Sequence, residues 1–270
     1  MIYRVIALVT LAHVGAALVV SRLARAFSLV PMCGAGRWIA AFLVVDAVVL
    51  YAMLERRAPV FGRVWWQGPA HRAVVSLTFD DGPNEPYTSR VLDVLGHADV
   101  KATFFLLGTN AERYPEAVRR IVADGHELGN HTVDHAVLPL RGPRHTRSTI
   151  RSTSDIIERI CGVRPRLFRA PHGWRNPWVD SIARLEGCEP VAWTLGVYDT
   201  DRPGANVIRQ RVVDGLANGC IILLHDGRGS ELHADTSQVV DALPGIIDEV
   251  RRRGYLFATV GQLIAGEPAR

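Results

Sequence analysis

Lysine and cysteine are scarce in this 270-residue sequence. Lys101 is the single lysine among 31 lysine and arginine residues, a compositional habit to which we attach no functional meaning. The four cysteines, at positions 33, 161, 188 and 220, include no Cys-x-x-Cys pair. Their spacing therefore excludes a zinc knuckle and a disulfide scaffold. We expect buried free thiols, with one bridge between Cys161 and Cys188 as the alternative in an oxidising compartment.

Excess charge of one sign is missing from most of the chain. The net charge is +4, and residues 1–63 hold seven arginines against two acids, while the rest of the chain holds 24 basic against 25 acidic residues. Binding to nucleic acid requires a basic face that displaces counterions from phosphates, so we expect no nucleic-acid partner. A content of 48% hydrophobic residues excludes a disordered chain, and the length fits one large domain with an appendage.

Long apolar runs are confined to the first 58 residues. Residues 5–20 and 38–54 are apolar except for one residue in each run, and each run is close to the lower limit of the roughly 17 to 25 residues that span a bilayer. We therefore predict an N-terminal membrane segment, residues 1–58, with one or two hydrophobic helices. A cleaved signal peptide ending near Ala24-Arg25-Ala26 is the alternative for the first run.

A linker is predicted between this segment and the rest of the chain. Residues 59–72 are polar and aromatic, and their Trp65 and Trp66 are suited either to the headgroup level of a membrane or to packing on the following domain. Arginines flank both apolar runs in nearly equal number, so the positive-inside bias leaves the orientation of the chain open.

Residues 73–265 alternate between strand-like and helix-like segments. The strands are predicted at 73–79, 102–108, 126–131, 164–171, 190–199, 220–226 and 255–260. About seven such units predict an α/β fold with a parallel sheet and helices outside it. Polar residues stand at or just beyond several strand ends, at Asp80, Asp81, His131, His135, Arg169, Asp199 and His225. The strand ends of a barrel meet on one rim, whereas an open sheet holds some of them far apart, so these residues favour a barrel.

Two adjacent carboxylates end the first strand, in the sequence LTFDDG. Neighbouring residues of an extended chain point in opposite directions, so Asp80 and Asp81 are able to divide their roles between a metal and a reacting water. A plain Asp-Gly-Pro turn is the alternative for this segment.

Two histidines are spaced i and i+4 in the sequence HTVDH. On a helical turn this spacing places the imidazoles of His131 and His135 on one face, as a metal clamp. Two His and one Asp leave open coordination positions, which is typical of a catalytic rather than a structural metal site. Two unrelated surface histidines are the alternative.

Arg169 ends another strand, in LFRAPHG. A guanidinium at this place is able to hold a carboxylate in a fixed orientation, and the turn at Pro171 and Gly173 is able to expose backbone N–H donors. A strand-end arginine paired on the surface is the alternative.

His225 follows the apolar strand IILLH and is a candidate general acid. A hydrogen-bonded core histidine is the alternative. Asp199 and Asp201 compete as the carboxylate that keeps this imidazole protonated. The remaining histidines are interpreted as structural or surface residues at positions 71, 97, 126 and 145, and as residues able to reach the mouth of the site at 172 and 233.

The set of motifs resembles the polysaccharide deacetylases of carbohydrate esterase family 4, the NodB homology domain, over roughly residues 72–263. The matching motifs are T-F-D-D-G at Thr78 to Gly82, H-T-x-x-H at His131 to His135, R-x-P at Arg169 to Pro171 and L-x-H at Leu223 to His225. The resemblance implies a distorted (β/α)7 barrel, and the joint occurrence of the motifs in this order makes chance an unsatisfactory explanation.

The resemblance also implies roles for the matching residues. Asp80 is expected to be the general base, with Arg169 holding its carboxylate. Asp81, His131 and His135 are expected to bind a divalent metal, usually zinc in this family, with cobalt or another divalent ion as the alternative. Leu223 is expected in the pocket for the acetyl methyl group, and His225 as the general acid.

Two departures from the family pattern concern the substrate cleft. His172 stands where the family commonly has a tyrosine, so the backbone N–H that assists the oxyanion is retained while the side wall changes. The W-x-x-D-x-x-D-W motif is represented by Trp193, Gly196, Asp199 and Thr200, so one acid and one tryptophan are missing. Asp199 remains the expected partner of His225.

The resemblance implies metal-dependent hydrolysis of N-acetyl groups from N-acetylhexosamine units of a cell-wall or related polysaccharide, with release of acetate. The expected partners are an N-acetylated amino-sugar polymer or glycan and, through the N-terminal segment, a membrane. We expect the protein at the cell membrane with its catalytic domain on the extracytoplasmic side. The alternatives are a deacetylase of a lipid-linked amino sugar and a non-catalytic membrane-tethered sugar-binding protein; a matched base and acid at Asp80 and His225 count against the latter.

Overall fold

The computed structural model describes residues 34–267, so the apolar run at 5–20 and Cys33 lie outside the described residues. The chain divides into two compact units, Met1–Leu54 and Glu55–Arg270. In the first, the described part is helix α1, Gly34–Leu54, which contains the second apolar run and exposes large apolar side chains such as Val44, Val45 and Val48. No helix within residues 34–267 combines the length and the apolar character needed to cross a membrane.

The second unit alternates strands with helices along the chain. Its strands are β1 Val74–Asp80, β2 Thr103–Leu106, β3 Glu127–Asn130, β4 Leu167–Phe168, β5 Glu189–Pro190, β6 Leu195–Gly196, β7 Ile221–His225 and β8 Leu256–Phe257. Its helices are α2 Tyr87–His97, α3 Gly108–Arg113, α4 Pro115–Ala123, α5 Pro143–Cys161, α6 Val179–Leu185, α7 Ala205–Gly215, α8 Ser237–Arg252 and α9 Val260–Ala265. Short 3-10 turns lie at Pro59–Phe61, Leu138–Leu140, Pro171–Gly173 and Asp199–Asp201.

Seven parallel strands form one curled sheet in the order β5-β4-β3-β2-β1-β7-β6, and β8 pairs with the start of β1. A flat sheet of seven strands would separate its edges by about 29 Å, given a spacing of about 4.8 Å. The chain, however, runs from the end of β5 at Pro190 to the start of β6 at Leu195, a stretch of five residue steps that spans at most about 18 Å. The sheet is therefore curled into a distorted barrel, and the α/β fold with parallel strands is confirmed.

The prediction of a single strand over 190–199 is wrong. The segment contains two short strands, β5 and β6, which lie at opposite ends of the sheet order. The backbone between them changes partner from residue to residue: Val191 N–H donates to Phe168, Ala192 N–H to Trp65 and Thr194 N–H to Ile221. These donors cross the gap between the two edges instead of following one neighbouring strand, which is why a regular strand does not form.

The segment around Trp65, predicted to be part of a linker, lies in this gap. Trp65 forms a parallel bridge with Val191, and Gln67 forms an antiparallel bridge with Cys220. Thr194 Oγ1 also donates to the Trp66 carbonyl oxygen at 2.6 Å. These contacts cover part of the two sheet edges, which reduces the aggregation hazard of an open edge.

All seven residues of β1 are buried, because it lies at the centre of the sheet with helices outside and the barrel interior inside. Val75, Leu77 and Phe79 belong to the large cluster shared with helices α2, α4 and α8. The alternate residues face the other way, which directs Thr78 and Asp80 into the barrel interior. Because side chains alternate between the two faces, the Asp80 carboxylate at the end of β1 faces the barrel interior, while the other face of β1 packs in the hydrophobic core.

The three cysteines that the structure describes, Cys161, Cys188 and Cys220, are free thiols, so the alternative of a bridge between Cys161 and Cys188 is not realised. Burial raises the pKa of the Cys220 thiol to about 11. A thiol with such a pKa is a poor nucleophile at neutral pH.

His126 is a buried titratable group in this core, and it makes the stability depend on pH. Its ring packs edge-on against Phe104 with centroids 5.4 Å apart, and its Nδ1 accepts from the Ala102 N–H at 3.1 Å. Burial lowers the pKa of His126 to about 4, and the charge of Lys101 adds to the effect. The histidine pKa in the unfolded chain is near 6.5, so between about pH 4 and 6.5 this side chain is protonated in the unfolded state and neutral in the folded state.

We predict that the free energy of unfolding falls by about 3 kcal/mol as the pH is lowered from 6.5 to 4 because of this residue alone. His126→Asn keeps a hydrogen-bond acceptor for Ala102 and does not titrate, so its stability loss over this range should be smaller by that amount. Urea unfolding followed by tryptophan fluorescence measures the difference. His97→Asn, which changes an exposed histidine, is the control and should behave like the wild type. Identical pH profiles for His126→Asn and the wild type would contradict the prediction.

Candidate metal centre and active site

A cleft of about 740 Å³ opens at the carboxyl ends of the strands. Eight of the eleven residues predicted to form the site line it: Asp80, Asp81, His131, His135, His172, Asp199, Leu223 and His225. Three others, Arg169, Pro171 and Gly173, are buried. The carboxyl ends of parallel strands share one edge of a sheet, and the curl of this sheet brings the ends of β1, β3, β4 and β7 round a common mouth.

Three side chains in the cleft form a cluster with the spacing of metal ligands. One ligand atom each from Asp81, His131 and His135 lies within 4.8 Å of the others. Asp81 Oδ1 is 3.4 Å from His131 Nε2 and 3.3 Å from His135 Nε2. Two imidazoles and one carboxylate are a donor set that suits zinc and similar divalent ions and leaves further coordination positions open.

The hydrogen bonds around the cluster fit a bound cation. His131 Nδ1–H donates to the Arg169 carbonyl oxygen at 2.8 Å, which leaves the lone pair of Nε2 directed at the cluster. Asp81 Oδ2 accepts from the Gly229 N–H at 2.7 Å. The other oxygen, Asp81 Oδ1, is buried and has no hydrogen-bond partner. A buried carboxylate oxygen left without a donor is costly, and a metal ion at this position satisfies it.

The charge states of two of these groups are those that a metal requires. Burial by itself would raise the pKa of Asp81, but the neighbouring imidazoles of His131, His135 and His225 lower it well below the usual carboxyl range. Burial is the largest cause that lowers the pKa of His135 to about 3. Asp81 is therefore ionised and His135 neutral at physiological pH, the forms that bind a metal.

The helical turn predicted for His131 to His135 is wrong. Thr132 and His135 have φ values of 73° and 59°, so the segment is an irregular loop that begins where β3 ends. Asn130 Oδ1 accepts from the Thr132 N–H at 2.9 Å, a short-range turn that competes with a helix. The two imidazoles converge because the loop folds back, with the Val133 N–H bonded to Thr149 of helix α5 at 2.9 Å.

Asp80 is held beside the cluster by Arg169. The Arg169 guanidinium is fully buried, and its Nη1 donates to Asp80 Oδ1 at 2.6 Å and to Thr78 Oγ1 at 2.8 Å. Its Nη2 donates to the Ala192 carbonyl oxygen at 3.0 Å. With one oxygen of Asp80 engaged in this way, the other, Oδ2, lies 3.7 Å from His131 Nε2 and faces the cluster.

His225, at the end of β7, is paired with Asp199. Its Nδ1 lies 2.9 Å from Asp199 Oδ1, and its backbone N–H donates to Asp199 Oδ2 at 2.8 Å. Burial by itself would lower the pKa of His225, but the carboxylate of Asp199, with Asp81 and Asp80 behind it, raises the pKa to about 10. The competing acid, Asp201, is exposed. Of the two carboxylates considered in the sequence, the structure brings Asp199 to this histidine.

His172 and Gly173 lie on the tight turn that follows Arg169. His172 has a φ of 60°, and its ring packs against His135 and Trp174 with centroid distances of 4.6 and 4.7 Å. At Gly173, where φ is 70°, a Cβ would lie 2.7 Å from the Trp193 ring, so no larger residue fits. Of the two histidines expected at the mouth of the cleft, His172 lines it, whereas His233 is exposed elsewhere.

Several residues of the cleft were not found from the sequence. Arg56, Tyr198, Arg228, Gly229 and Glu231 all line it. Arg56 precedes the predicted linker, and no pattern in the sequence connects it to its partner Trp193, 137 residues away. The glycines that follow His225 are the one available signal, because a Gly-rich turn after a strand end often presents backbone N–H groups, as Gly229 does here to Asp81.

The chain is similar to known proteins over most of this unit. Residues 67–191 match the polysaccharide deacetylase family. A peptidoglycan-N-acetylglucosamine deacetylase of Bacillus cereus is 35% identical over 214 residues, which cover 78% of this chain and 98% of that protein. A chitooligosaccharide deacetylase of Sinorhizobium fredii is 37% identical, over 70% of this chain and 90% of that protein.

The fold is also shared with a solved structure. The crystal structure of a peptidoglycan N-acetylglucosamine deacetylase in complex with 4-naphthalen-1-yl-N-oxidanyl-benzamide superposes with a TM-score of 0.71 and 34% identity, covering 77% of this chain and 95% of that one. Fold, site and sequence agree: the chain belongs to the polysaccharide deacetylases of carbohydrate esterase family 4. These enzymes are hydrolases that act on non-peptide carbon–nitrogen bonds.

We predict that the purified protein binds about one divalent ion per chain and that His131→Ala loses it, because removal of one imidazole leaves too few protein ligands for a stable site. Elemental analysis after dialysis measures the bound ion without recourse to activity. Asp199→Asn is the matched control: it changes a buried cleft carboxylate outside the cluster and should retain the ion. Full metal occupancy in His131→Ala would show that the ligands are assigned incorrectly.

Proposed function

We propose that this protein removes N-acetyl groups from the amino sugars of peptidoglycan or of a chitin-like oligosaccharide and releases acetate. The observation that carries the proposal is the grouping, in one cleft, of the Asp81, His131 and His135 cluster with Asp80 on one side and the paired His225 and Asp199 on the other. The similar proteins named for peptidoglycan and chitooligosaccharide deacetylation support the same chemistry.

Asp81, His131 and His135 are the residues that would hold a divalent ion, which we propose to be zinc, with cobalt or another divalent ion able to replace it. When bound, such an ion supplies a Lewis acid for the amide carbonyl and for the attacking water. The role of the three side chains is to offer an ionised carboxylate and two imidazoles that are already oriented, so little reorganisation is required on binding.

Asp80 acts as the general base in this proposal. Arg169 fixes one oxygen, and Oδ2 is left facing the cluster, where it takes a proton from the water that attacks the amide carbon. Attack forms a tetrahedral carbon, and the carbon–nitrogen bond then breaks. The pairing with Arg169 gives the buried carboxylate a counter-charge and a fixed orientation before the substrate arrives.

His225 acts as the general acid. Asp199 holds the proton on Nδ1 and keeps the imidazole charged, so the opposite nitrogen, Nε2, is the donor to the departing amine. The products are an amino sugar with a free amine and acetate. The register of the parallel strands β1 and β7 pairs Asp80 with His225. The base and the acid therefore lie side by side although they come from different strands.

The remaining predicted residues are assigned to the substrate. We assign Leu223, which lines the cleft from β7, to the acetyl methyl group. We assign the backbone N–H of His172, on the turn from Pro171 to Gly173, to the oxyanion. Pro171 and Gly173, predicted with His172 as substrate-binding residues, are buried in this turn and act on the substrate through the backbone that they position.

We also propose that the N-terminal segment holds the protein at a membrane, with the catalytic unit on the extracytoplasmic side. Two apolar runs in the first 54 residues and the exposed apolar side chains of helix α1 support the first part. A polymeric wall substrate, which lies outside the membrane, supports the second. A lipid-linked amino sugar is the alternative substrate for a protein held in this way.

The principal test is acetate release from an N-acetylglucosamine oligomer and from peptidoglycan, in the presence of zinc. Asp80→Asn removes the base while keeping the shape of the side chain and should lower kcat by about 100-fold or more. Its metal content should equal that of the wild type. Equal rates for the two proteins, or no release from any amino-sugar polymer by the wild type, would overturn the proposal.

The pH dependence tests the acid. His225 must be protonated to act, so activity should decline as the pH rises through its pKa, which Asp199 raises to about 10. In Asp199→Asn the raising carboxylate is lost, so the alkaline limb of the kcat profile should move to lower pH while metal stays bound. Asp201→Asn, a change of the neighbouring exposed acid, is the control. An alkaline limb that does not move in Asp199→Asn would show that another group donates the proton.

A further inference from the structure

Arg56 is an unassigned cation in the wall of the catalytic cleft. It lies eleven positions before the region that matches the family, which begins at residue 67. Its Nε donates to the Trp193 carbonyl oxygen at 3.1 Å, and its guanidinium lies over the Trp193 ring, 5.0 Å from the ring centre. Trp193 also lies beside Arg169, with 5.7 Å from that guanidinium to the ring centre. One indole therefore separates Arg56 from the arginine that holds the base.

A buried ion pair fixes the backbone that carries Arg56. Arg175 is buried and donates through Nη1 to Asp180 at 2.6 Å, and through Nη2 to the carbonyl oxygens of Ala58 at 2.7 Å and of Arg56 at 3.3 Å. A Cβ on Gly173 would lie 3.1 Å from the Arg56 Cβ, so this glycine also permits the close approach of the segment. The position of Arg56 is thus built into the catalytic unit and is not that of a loose surface side chain.

Arg56 differs from the other arginines of the cleft in that its hydrogen bonds go to the backbone carbonyl oxygens of Trp193 and Thr194. Arg169 is paired with Asp80, and Arg228 lies 3.7 Å from Glu231. The acid nearest to Arg56 in the chain is Glu55, whose charge acts on Arg56 and whose Oε1 accepts from the Arg57 N–H at 3.0 Å. Burial lowers the pKa of Arg56, and the neighbouring Arg57 lowers it further, although an arginine remains charged at any physiological pH. A half-buried guanidinium in the wall of a cleft, with one nitrogen not engaged by these backbone oxygens, is able to receive an anion.

Tyr198 supplies an apolar surface in the same part of the cleft. Its φ and ψ of 52° and 41° are left-handed, an uncommon conformation for a residue with a bulky side chain. The side chain is 70% exposed although the residues on both sides, Val197 and Asp199, are buried. A strained backbone that holds an aromatic ring outwards over a cleft is typical of a binding surface, and a sugar ring packs well against such a ring.

We propose that Arg56 is a carboxylate-binding residue of a sugar subsite, with Tyr198 supporting the ring of the same sugar, and that the cleft consequently prefers amino-sugar polymers that carry carboxylates. The inference rests on the proposed deacetylase function and extends it to the chemical class of the polymer. The guanidinium lies over Trp193, with Nε donating to the Trp193 carbonyl oxygen and Nη2 to the Thr194 carbonyl oxygen at 3.5 Å, so Nη1 is the nitrogen able to donate to a carboxylate in the cleft.

The test compares two matched substrates: glycan strands of peptidoglycan freed of their peptides, with lactyl carboxylates intact, and the same strands after reduction of those carboxylates to alcohols. The wild type should show the higher kcat/KM on the carboxylate strand. Arg56→Gln in the full-length protein should lose about tenfold in kcat/KM on that strand, mainly through a higher KM. Its kcat/KM on the reduced strand should stay within about twofold of the wild type, which also shows that the variant is folded.

Arg57→Gln is the matched control. Arg57 is the next residue and donates to the Thr194 carbonyl oxygen at 2.7 Å, but its guanidinium lies over Trp66 and lines a separate groove. This variant should keep the wild-type preference between the two strands. An equal loss on both strands in Arg56→Gln, or the same selective loss in Arg57→Gln, would overturn the proposal.

The failure of the proposed function has a different signature, namely no acetate from either strand with the wild type and zinc. In that case, the affinity of the Asp80→Asn protein for each of the two strands, measured by calorimetry, tests the Arg56 subsite independently of catalysis. The subsite is supported if Asp80→Asn binds the carboxylate strand more tightly than the reduced strand and if the double variant with Arg56→Gln loses this difference. Equal binding of the two strands by Asp80→Asn overturns the subsite.

Discussion

The buried guanidinium of Arg169 is the contact on which the active site depends. It joins Asp80 and Thr78 of the central strand to the Ala192 carbonyl of the segment that crosses between the sheet edges. Its own carbonyl oxygen accepts from His131 and thereby orients a metal ligand. Loss of one partner from a buried ion pair of this kind typically costs about 3–5 kcal/mol, because the remaining charge is left uncompensated in a medium of low polarity. The same residue therefore holds the base, aligns a ligand and contributes to the closure of the barrel.

The curl of the sheet explains how so many charges are tolerated in one place. Asp80, Asp81, Asp199 and the neighbouring imidazoles are collected at one mouth, where each carboxylate has a charged or hydrogen-bonding partner. The partners come from different strands, so no single segment could satisfy them in isolation. A divalent ion completes this balance, since it adds positive charge next to the one buried oxygen of Asp81 that has no donor.

A second buried arginine performs a comparable task at the edge of the site. Arg175, paired with Asp180, binds three backbone carbonyls of residues 55–58 and attaches this segment to the catalytic unit. The Trp193 indole lies next to the guanidinium groups of both Arg56 and Arg169. It also packs so close to residue 173 that only a glycine fits at that position. Residues outside the matching region of the family are in this way connected to the chemistry at its centre.

Much of the site could be predicted from the sequence because its residues follow strand ends. Period-two alternation and apolar runs locate the strands, and parallel strands share one carboxyl edge, so Asp80, Asp81, His131, Arg169 and His225 are expected to meet whatever the details of the loops. The α/β class and the parallel sheet follow from the same local patterns.

The remaining features of the fold and the site depend on contacts between residues that are distant in the chain, so only the tertiary structure determines them. Residues 190–199 form two strands because their backbone donors cross a closing gap, and no local pattern records that gap. His131 and His135 converge through a loop bonded to helix α5 and not through a helical turn. The choice of Asp199 over Asp201 depends on where one short turn meets β7. Arg56 enters the cleft through contacts with Arg175 and Trp193, more than a hundred residues away, and such contacts exist only once the barrel has closed.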